Sequence, residues 1–286
     1  MKGIIWIASY PKSGNTWFRV FLTNLLRDGS EPADINSLER TPIAGARGLF
    51  DDLTGLGAAD LLPEEVERLR PRVYQLAAEE APERLFMKIH DACTYTSEGL
   101  PLVSGEGVLG SVYIVRNPLD VAVSNAHHNG TDIDTAITRM ADESHVLANE
   151  GKKLRDQLPQ KLLSWSSHVK SWIDAAGLPV CVIRYEDMLS QPLETFCRAA
   201  RFCGLPDDPA RIEKAIRFSS FETLKDQENK TRFTETPSGV AGFFRKGKSG
   251  SWRESLTPEQ IRRIISDHGE IMQRLGYLAG NGEILC

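Results

Sequence analysis

IIWIASYPKSGNTWFRVFLTNLL, running from Ile4 to Leu26, decides how this chain is read. Ile4–Ser9 is an apolar run of strand length. From Trp17 to Arg27, residues Phe18, Phe21, Leu22 and Leu25 fall at i, i+3, i+4 and i+7, which is one face of a helix, with Gly29 expected to stop it. Between the two lies a polar turn holding Lys12, Ser13, Gly14, Asn15 and Thr16. A strand, a turn and a helix in that order aim unpaired backbone N–H groups and the positive helix end at the turn, an arrangement suited to phosphate or sulfate. Lys12 adds a full charge, and the hydroxyls and amide beside it add donors. The GxxxxGK(S/T) pattern of nucleotide triphosphatases is not met, because Lys12 precedes the glycine and the loop is shorter.

Outward from this unit the pattern repeats. Leu85–His90 and Val112–Val115 are further apolar runs of strand length, the second leading into Arg116-Asn117-Pro118 and a helical stretch, Leu119–His127. Pro63–Glu80 begins as a helix with Pro63 in its first turn, and Pro71 is expected to break it. Gln160–Ala175 reads as a helix and Val180–Arg184 as a strand. Thr257-Pro258-Glu259 opens a last helix that runs to about Leu275. Strands separated by helices imply parallel connections, so the expected fold is α/β. The expectation is one domain over residues 1–286, a central, mainly parallel β-sheet flanked by helices. Ligands of such sheets gather at the carboxyl ends of strands, where Lys12, His90, Arg116 and Tyr185 emerge. Segments 31–62 and 129–158 are weakly periodic and read as substrate-facing excursions or lids, offering Phe50, Leu53, Leu56, Ile133, Met140 and His145 as walls.

Composition narrows the partners. The 286 residues are 41% hydrophobic and 26% charged, ordinary for a globular chain, and the net charge of −5 advertises neither nucleic acid nor anionic membrane. No stretch approaches the roughly 18 apolar residues of a membrane span, so no membrane insertion is expected. The five cysteines lack CxxC spacing, which suggests neither a disulfide framework nor a zinc site and fits a cytoplasmic location. Adjacent His127 and His128 face different ways on a helix and suggest no metal site.

Two more features carry chemistry. In MKIHDA, Lys88 and His90 stand two residues apart and so share a strand face; a histidine there can serve as general base beside a charge-stabilising lysine. Arg116 offers a planar fork to a phosphate, with Ser124 in the helix that follows.

YPKSGNTW closely resembles the YPKSGTTW loop of the sulfotransferases that use 3′-phosphoadenosine 5′-phosphosulfate (PAPS), with Asn15 in place of a threonine. YIVRNPLDVAVS, Tyr113–Ser124, resembles that family's second signature, and FFRKGKSGSWRESLT, Phe243–Thr257, its RKGxxGDWK segment, with Ser251 where the family has aspartate. WSSHVKSW, Trp165–Trp172, is similar to the family's WxxHVxxW helix, in which Trp165, Val169 and Trp172 are read as a core face. The resemblance runs from Ile4 to Thr257 and implies a fold like that of P-loop nucleotide triphosphatases. It further implies that Lys12 and the loop Ser13–Thr16 hold the 5′-phosphosulfate and that Trp17 packs on adenine. By the same resemblance Tyr185, Ser219 and Phe221 line the adenine, while Arg116, Ser124, Arg245, Lys246 and Gly247 bind the 3′-phosphate. His90 is then the base, Lys88 steadies the transition state, and Lys12 neutralises the leaving oxygen. The implied reaction carries a sulfuryl group from PAPS to a small hydroxyl acceptor, preferably an apolar phenol or alcohol, leaving 3′-phosphoadenosine 5′-phosphate (PAP), with no metal required. A metal-dependent nucleotide kinase or triphosphatase and a catalytically silent nucleotide-binding protein of the same fold stay open as alternatives. The family's KxxxTVxxxE dimer segment would fall at Arg253–Arg262, where Pro258 and Arg262 break it, and oligomeric state is left open.

Overall fold

The structure is a computed structural model that describes residues 2–38, 40–149, 156–236, 239–240 and 242–286. Residues 150–155 of the second expected excursion, residue 39 of the first and residue 241 lie outside the described residues. In chain order the first elements are β1 (Gly3–Ser9), α1 (Asn15–Arg27), α2 (Arg47–Thr54), α3 (Pro63–Glu80), β2 (Arg84–Ile89) and β3 (Val108–Val115). Then come α4 (Pro118–Asn129), α5 (Ile133–Ala141), β4 (Val146–Leu147), β5 (Gln160–Lys161), α6 (Trp165–Ile173) and β6 (Val180–Arg184). The chain closes with α7 (Tyr185–Ser190), α8 (Pro192–Phe202), α9 (Pro209–Phe218), α10 (Phe221–Thr231), a 3-10 turn at Ser251–Glu254 and α11 (Pro258–Arg274).

The central sheet has the order β2-β1-β3-β6 and is mainly parallel, as an α/β fold requires. β1 is buried along its whole length, which is why it reads as an unbroken apolar run rather than an alternating one. It pairs in parallel with β2 in a register that sets Ala8 opposite Ile89, so Ser9 and His90 leave the two strands at the same end.

By compactness the chain divides into two units. The first comprises Met1–Tyr10, Arg40–Tyr113 and Asp142–Val182. α3 covers β1 there, and Trp6 sets its indole edge-on to Tyr74 at 5.0 Å and donates to the Val103 carbonyl at 2.7 Å. Pro71 does not break α3, which runs unbroken through it. The lost N–H bond is offset by the buried face of Val66, Arg70, Val73, Tyr74 and Ala77, because tertiary packing outweighs one missing hydrogen bond.

The second unit comprises Pro11–Glu39, Ile114–Ala141 and Ile183–Cys286. α1 buries Phe18, Phe21, Leu22 and Leu25, the face its periodicity predicts, and Phe21 meets Phe196 of α8 at 4.1 Å between ring centres. Each such side chain contributes roughly 1.5–3 kcal/mol on leaving water. The helix begins two residues earlier than its apolar spacing shows, and Asp28, in the left-handed conformation, ends it one residue before Gly29. α11 carries the expected Thr257 cap, its hydroxyl accepting from the Gln260 amide at 3.2 Å while the Gln260 side chain accepts from the Thr257 amide at 3.0 Å.

Elsewhere the chain departs from its helical pattern. The expected helix Gln160–Ala175 is a two-residue strand, β5, followed by the shorter α6, because Leu163 is left-handed and Ser164 caps α6 through the Ser167 amide. The two excursions hold helices α2 and α5, each too short for its periodicity to stand out. Among the described residues no helix is long and apolar enough to cross a membrane.

Candidate functional site

The turn after β1 is built by backbone conformations that side chains resist. Lys12 has φ 69° and Gly14 φ 108°. A Cβ on Gly14 would lie 2.7 Å from the Tyr185 ring, so glycine lets that ring close on the turn. Gly14 is the N-cap of α1 and offers no side-chain acceptor, and the positive end of the helix faces the turn, as an anion site requires. Asn15 and Thr16 are buried in that first turn, and Ser13 is buried with its hydroxyl unpartnered among the described residues. Lys12 Nζ lies 3.2 Å from His128 Nδ1 and 4.2 Å above the Phe243 ring.

Arg116 ties this turn to the C-terminal loop. Its Nη1 donates to the Lys12 carbonyl at 3.3 Å and its Nη2 to the Lys248 carbonyl at 3.1 Å, while the guanidinium lies 4.3 Å over Tyr185. Its Nε is buried without a partner among the described residues, so the fork retains a donor. Asp120, one helical turn beyond Arg116 and 3.9 Å from its Nη2, accepts from the Gly250 amide at 2.7 Å and the Trp252 amide at 3.1 Å. This carboxylate anchors the loop across Ser251, the position where a family aspartate is replaced. Gly247, at φ 60°, passes so near Phe221 that a Cβ would sit 2.2 Å from its ring.

Charge is concentrated here. Burial first, and then the Arg116 charge, hold the Arg245 pKa below its usual value, with Asp120 opposing. Burial, Arg245 and Lys12, in that order, lower His127. Lys246 pairs with Glu254 at 3.2 Å. The ring of Trp17 meets Tyr185 edge-on at 5.7 Å, and Phe221 opens α10. The Ser219 hydroxyl donates to the carbonyls of Ala215 (2.9 Å) and Ile216 (3.1 Å) of its own helix. Ser124 lies on α4 one turn before His128.

The first unit holds Lys88 and His90. His90 follows β2 directly, half-buried, and its Nδ1 lies 2.7 Å from the Ser9 carbonyl, which makes Nδ1 the protonated nitrogen and Nε2 the basic one. Lys88 is buried on β2, and its backbone is clamped by an added segment: its amide donates to the Pro42 carbonyl at 2.8 Å and its carbonyl accepts from the Ala44 amide at 2.9 Å. The first excursion therefore runs along the strand that carries Lys88.

Within the second unit the structure gathers Lys12, Ser13, Gly14, Arg116, Tyr185 and the Arg245–Gly247 loop. Sequence reasoning missed Asp120, His128 and Phe243. Helical spacing could have found the first two, since Asp120 lies four residues after Arg116 and His128 four after Ser124. Nothing in the sequence marks Phe243 beyond its place beside Arg245.

Comparison with known proteins gives the family. Residues 2–276 match the sulfotransferase domain family. The chain belongs to that family. Among relatives, it is similar to sulfotransferase 1A1 of Canis lupus familiaris, 26% identical over 94% of this chain and 83% of the relative. It is also similar to cytosolic sulfotransferase 1 of Arabidopsis thaliana, 28% identical over 90% of this chain and 75% of the relative. Of solved structures, mouse sulfotransferase SULT7A1 complexed with PAP superposes with a TM-score of 0.61 at 22% identity, covering 96% of this chain and 86% of the other. Retinol dehydratase in complex with androsterone and PAP gives 0.61 at 21%, covering 94% and 80%. These likenesses establish the sulfotransferase fold, and family membership makes the chain a sulfotransferase-type enzyme, one that moves a sulfuryl group.

Proposed function

We propose that this sulfotransferase takes PAPS as donor and passes its sulfuryl group to a hydroxyl of a small, apolar or phenolic acceptor. One observation carries the reading: Arg116 joins the Lys12 turn to the Lys248 end of the basic loop, so two anion-binding stretches meet on one guanidinium. A nucleotide charged at both its 5′ and 3′ ends fits that doubled cradle. The Lys12 turn takes the phosphosulfate end, and Arg116, Ser124 and the Arg245–Gly247 loop take the 3′-phosphate. Trp17, Tyr185, Ser219 and Phe221 supply the walls for adenine. The hydroxyl of Ser13 and Nε of Arg116, unpartnered among the described residues, are donors of the right kind.

In the transfer itself the acceptor oxygen attacks sulfur in line, the bond from sulfur to the bridging oxygen breaks, and PAP departs. The acceptor proton goes to His90 Nε2, which the Ser9 carbonyl keeps unprotonated by holding the proton on Nδ1. Lys12 neutralises charge on the departing phosphate oxygen, and Lys88 offsets charge on the transferred group. The sulfuryl group carries less charge than a γ-phosphoryl group, so these lysines suffice without a metal ion.

The test is a PAPS-loaded assay against a mixed library of phenols, alcohols, amines and sugars, read by the mass of one added sulfuryl group, with and without EDTA. Sulfated phenols or alcohols formed equally in both conditions support the reading. Transfer that needs a divalent ion, or turnover of ATP instead of PAPS, overturns it.

A further inference from the structure

We propose that His168 and Trp172 of α6 position the catalytic His90 by gripping its backbone, which makes the WSSHVKSW helix part of the transfer machinery rather than only a core face. The inference rests on the reading of His90 as general base. His168 is wholly buried, and its Nε2 lies 3.0 Å from the His90 carbonyl while its Nδ1 lies 2.8 Å from the Tyr113 hydroxyl. The roles along this chain are fixed by elimination. A carbonyl only accepts, so Nε2 carries the proton and donates; Nδ1 then accepts, so the Tyr113 hydroxyl donates. Burial pushes the His168 pKa down to about 4 and raises that of Tyr113, so near neutral pH both stay in the uncharged forms this chain requires. The Tyr10 ring closes edge-on over His168 at 5.4 Å.

One turn further along α6, Trp172 Nε1 donates to the Asp91 carbonyl at 3.0 Å, and the hydroxyl of Ser171 accepts from the Cys93 amide at 2.9 Å. The Asp91 side chain is itself fixed, accepting from Arg70 Nη1 at 3.0 Å and from the Lys161 amide at 2.9 Å. The backbone that carries His90 is thus held at successive residues by α6, while the Ser9 carbonyl holds the imidazole from β1. None of these α6 groups is a candidate acid or base, since His168 keeps its proton on a nitrogen that faces a carbonyl. What they fix is the direction of His90 Nε2, and a base displaced by about 1 Å loses on the order of 10²-fold in rate.

The experiment compares the full chain with His168→Leu, His168→Gln and the same changes combined with His90→Ala, measuring kcat with PAPS and PAP affinity by calorimetry. We expect His168→Leu to lower kcat by about 10- to 100-fold with PAP affinity unchanged, and His168→Gln, whose amide still reaches the carbonyl as a donor, to recover most of it. In the His90→Ala background the His168 changes should cost nothing further. An equal further loss in that background, or a His168→Leu enzyme with normal kcat, overturns the proposal. If His168→Leu does not fold, Trp172→Phe, which deletes the donor to the Asp91 carbonyl, and Tyr113→Phe, which deletes the donor to His168 Nδ1, carry the same comparison. Normal turnover in His90→Ala alone refutes the base assignment, a separate result.

Discussion

Replacing Asp120 with alanine tests how the basic C-terminal loop is held. The carboxylate is buried and accepts from the amides of Gly250 (2.7 Å) and Trp252 (3.1 Å), and it is the acidic group 3.9 Å from Arg116. A hydrogen bond to a charged group contributes about 1.5–3 kcal/mol, so two at the lower end give about 3 kcal/mol. At roughly 2–4 °C per kcal/mol for a chain of this size, Tm falls by about 6–12 °C. Asp120→Asn, which keeps one acceptor in place, should fall between alanine and the parent. Differential scanning calorimetry at neutral pH measures this, with a PAP titration on the same samples to show weaker binding once the loop is released. An alanine variant with an unchanged Tm and unchanged PAP affinity would refute the assignment of Asp120 as the anchor of the loop.

Three further outcomes follow from the same geometry. Gly247→Ala places a Cβ 2.2 Å from the Phe221 ring at φ 60°, and left-handed strain of about 1–2 kcal/mol plus a similar overpacking cost should weaken PAP binding by at least about tenfold in calorimetry; equal affinity contradicts it. Arg70→Met strands the fully buried Asp91 carboxylate and should cost about 3–5 kcal/mol in urea unfolding, with Arg70→Met/Asp91→Leu regaining much of it; a single variant as stable as the parent contradicts the buried pair. His168 has a folded pKa of about 4 against 6.5 in the open chain, so the unfolded state binds the extra proton between those values. Stability is therefore full above pH 6.5 and falls by about 3 kcal/mol as pH drops toward 4, and His168→Gln should show a shallower decline of Tm between pH 7 and 5. Parallel declines contradict it.

The parts of the fold legible in sequence were those where local and tertiary preferences agree. β1 and α1 have unbroken burial on the faces their periods show, and the Thr257 cap is closed by Gln260, only three residues on. Pro71 misled because the rule about proline is local, while α3 is held by its buried face. Gln160–Ala175 misled because one left-handed residue, Leu163, and one cap, Ser164, divide an otherwise helical pattern. At the site, glycines at positions 14 and 247 were visible as residues, but their reason, the closeness of Tyr185 and Phe221, lies far along the chain. The bond from His168 to the His90 carbonyl was invisible for the same cause, since a backbone acceptor leaves no mark on the sequence.

Recognition of the nucleotide at both ends, by the Lys12 turn and by the Arg116 and Arg245–Gly247 group, is the core of the proposed function. Calorimetric titration of the intact chain with PAP and with adenosine 5′-phosphate tests it directly, because the two differ only in the 3′-phosphate. PAP should bind tighter by at least about 10²-fold, in keeping with charge-assisted contacts to that group. Equal affinity for the two nucleotides would contradict it.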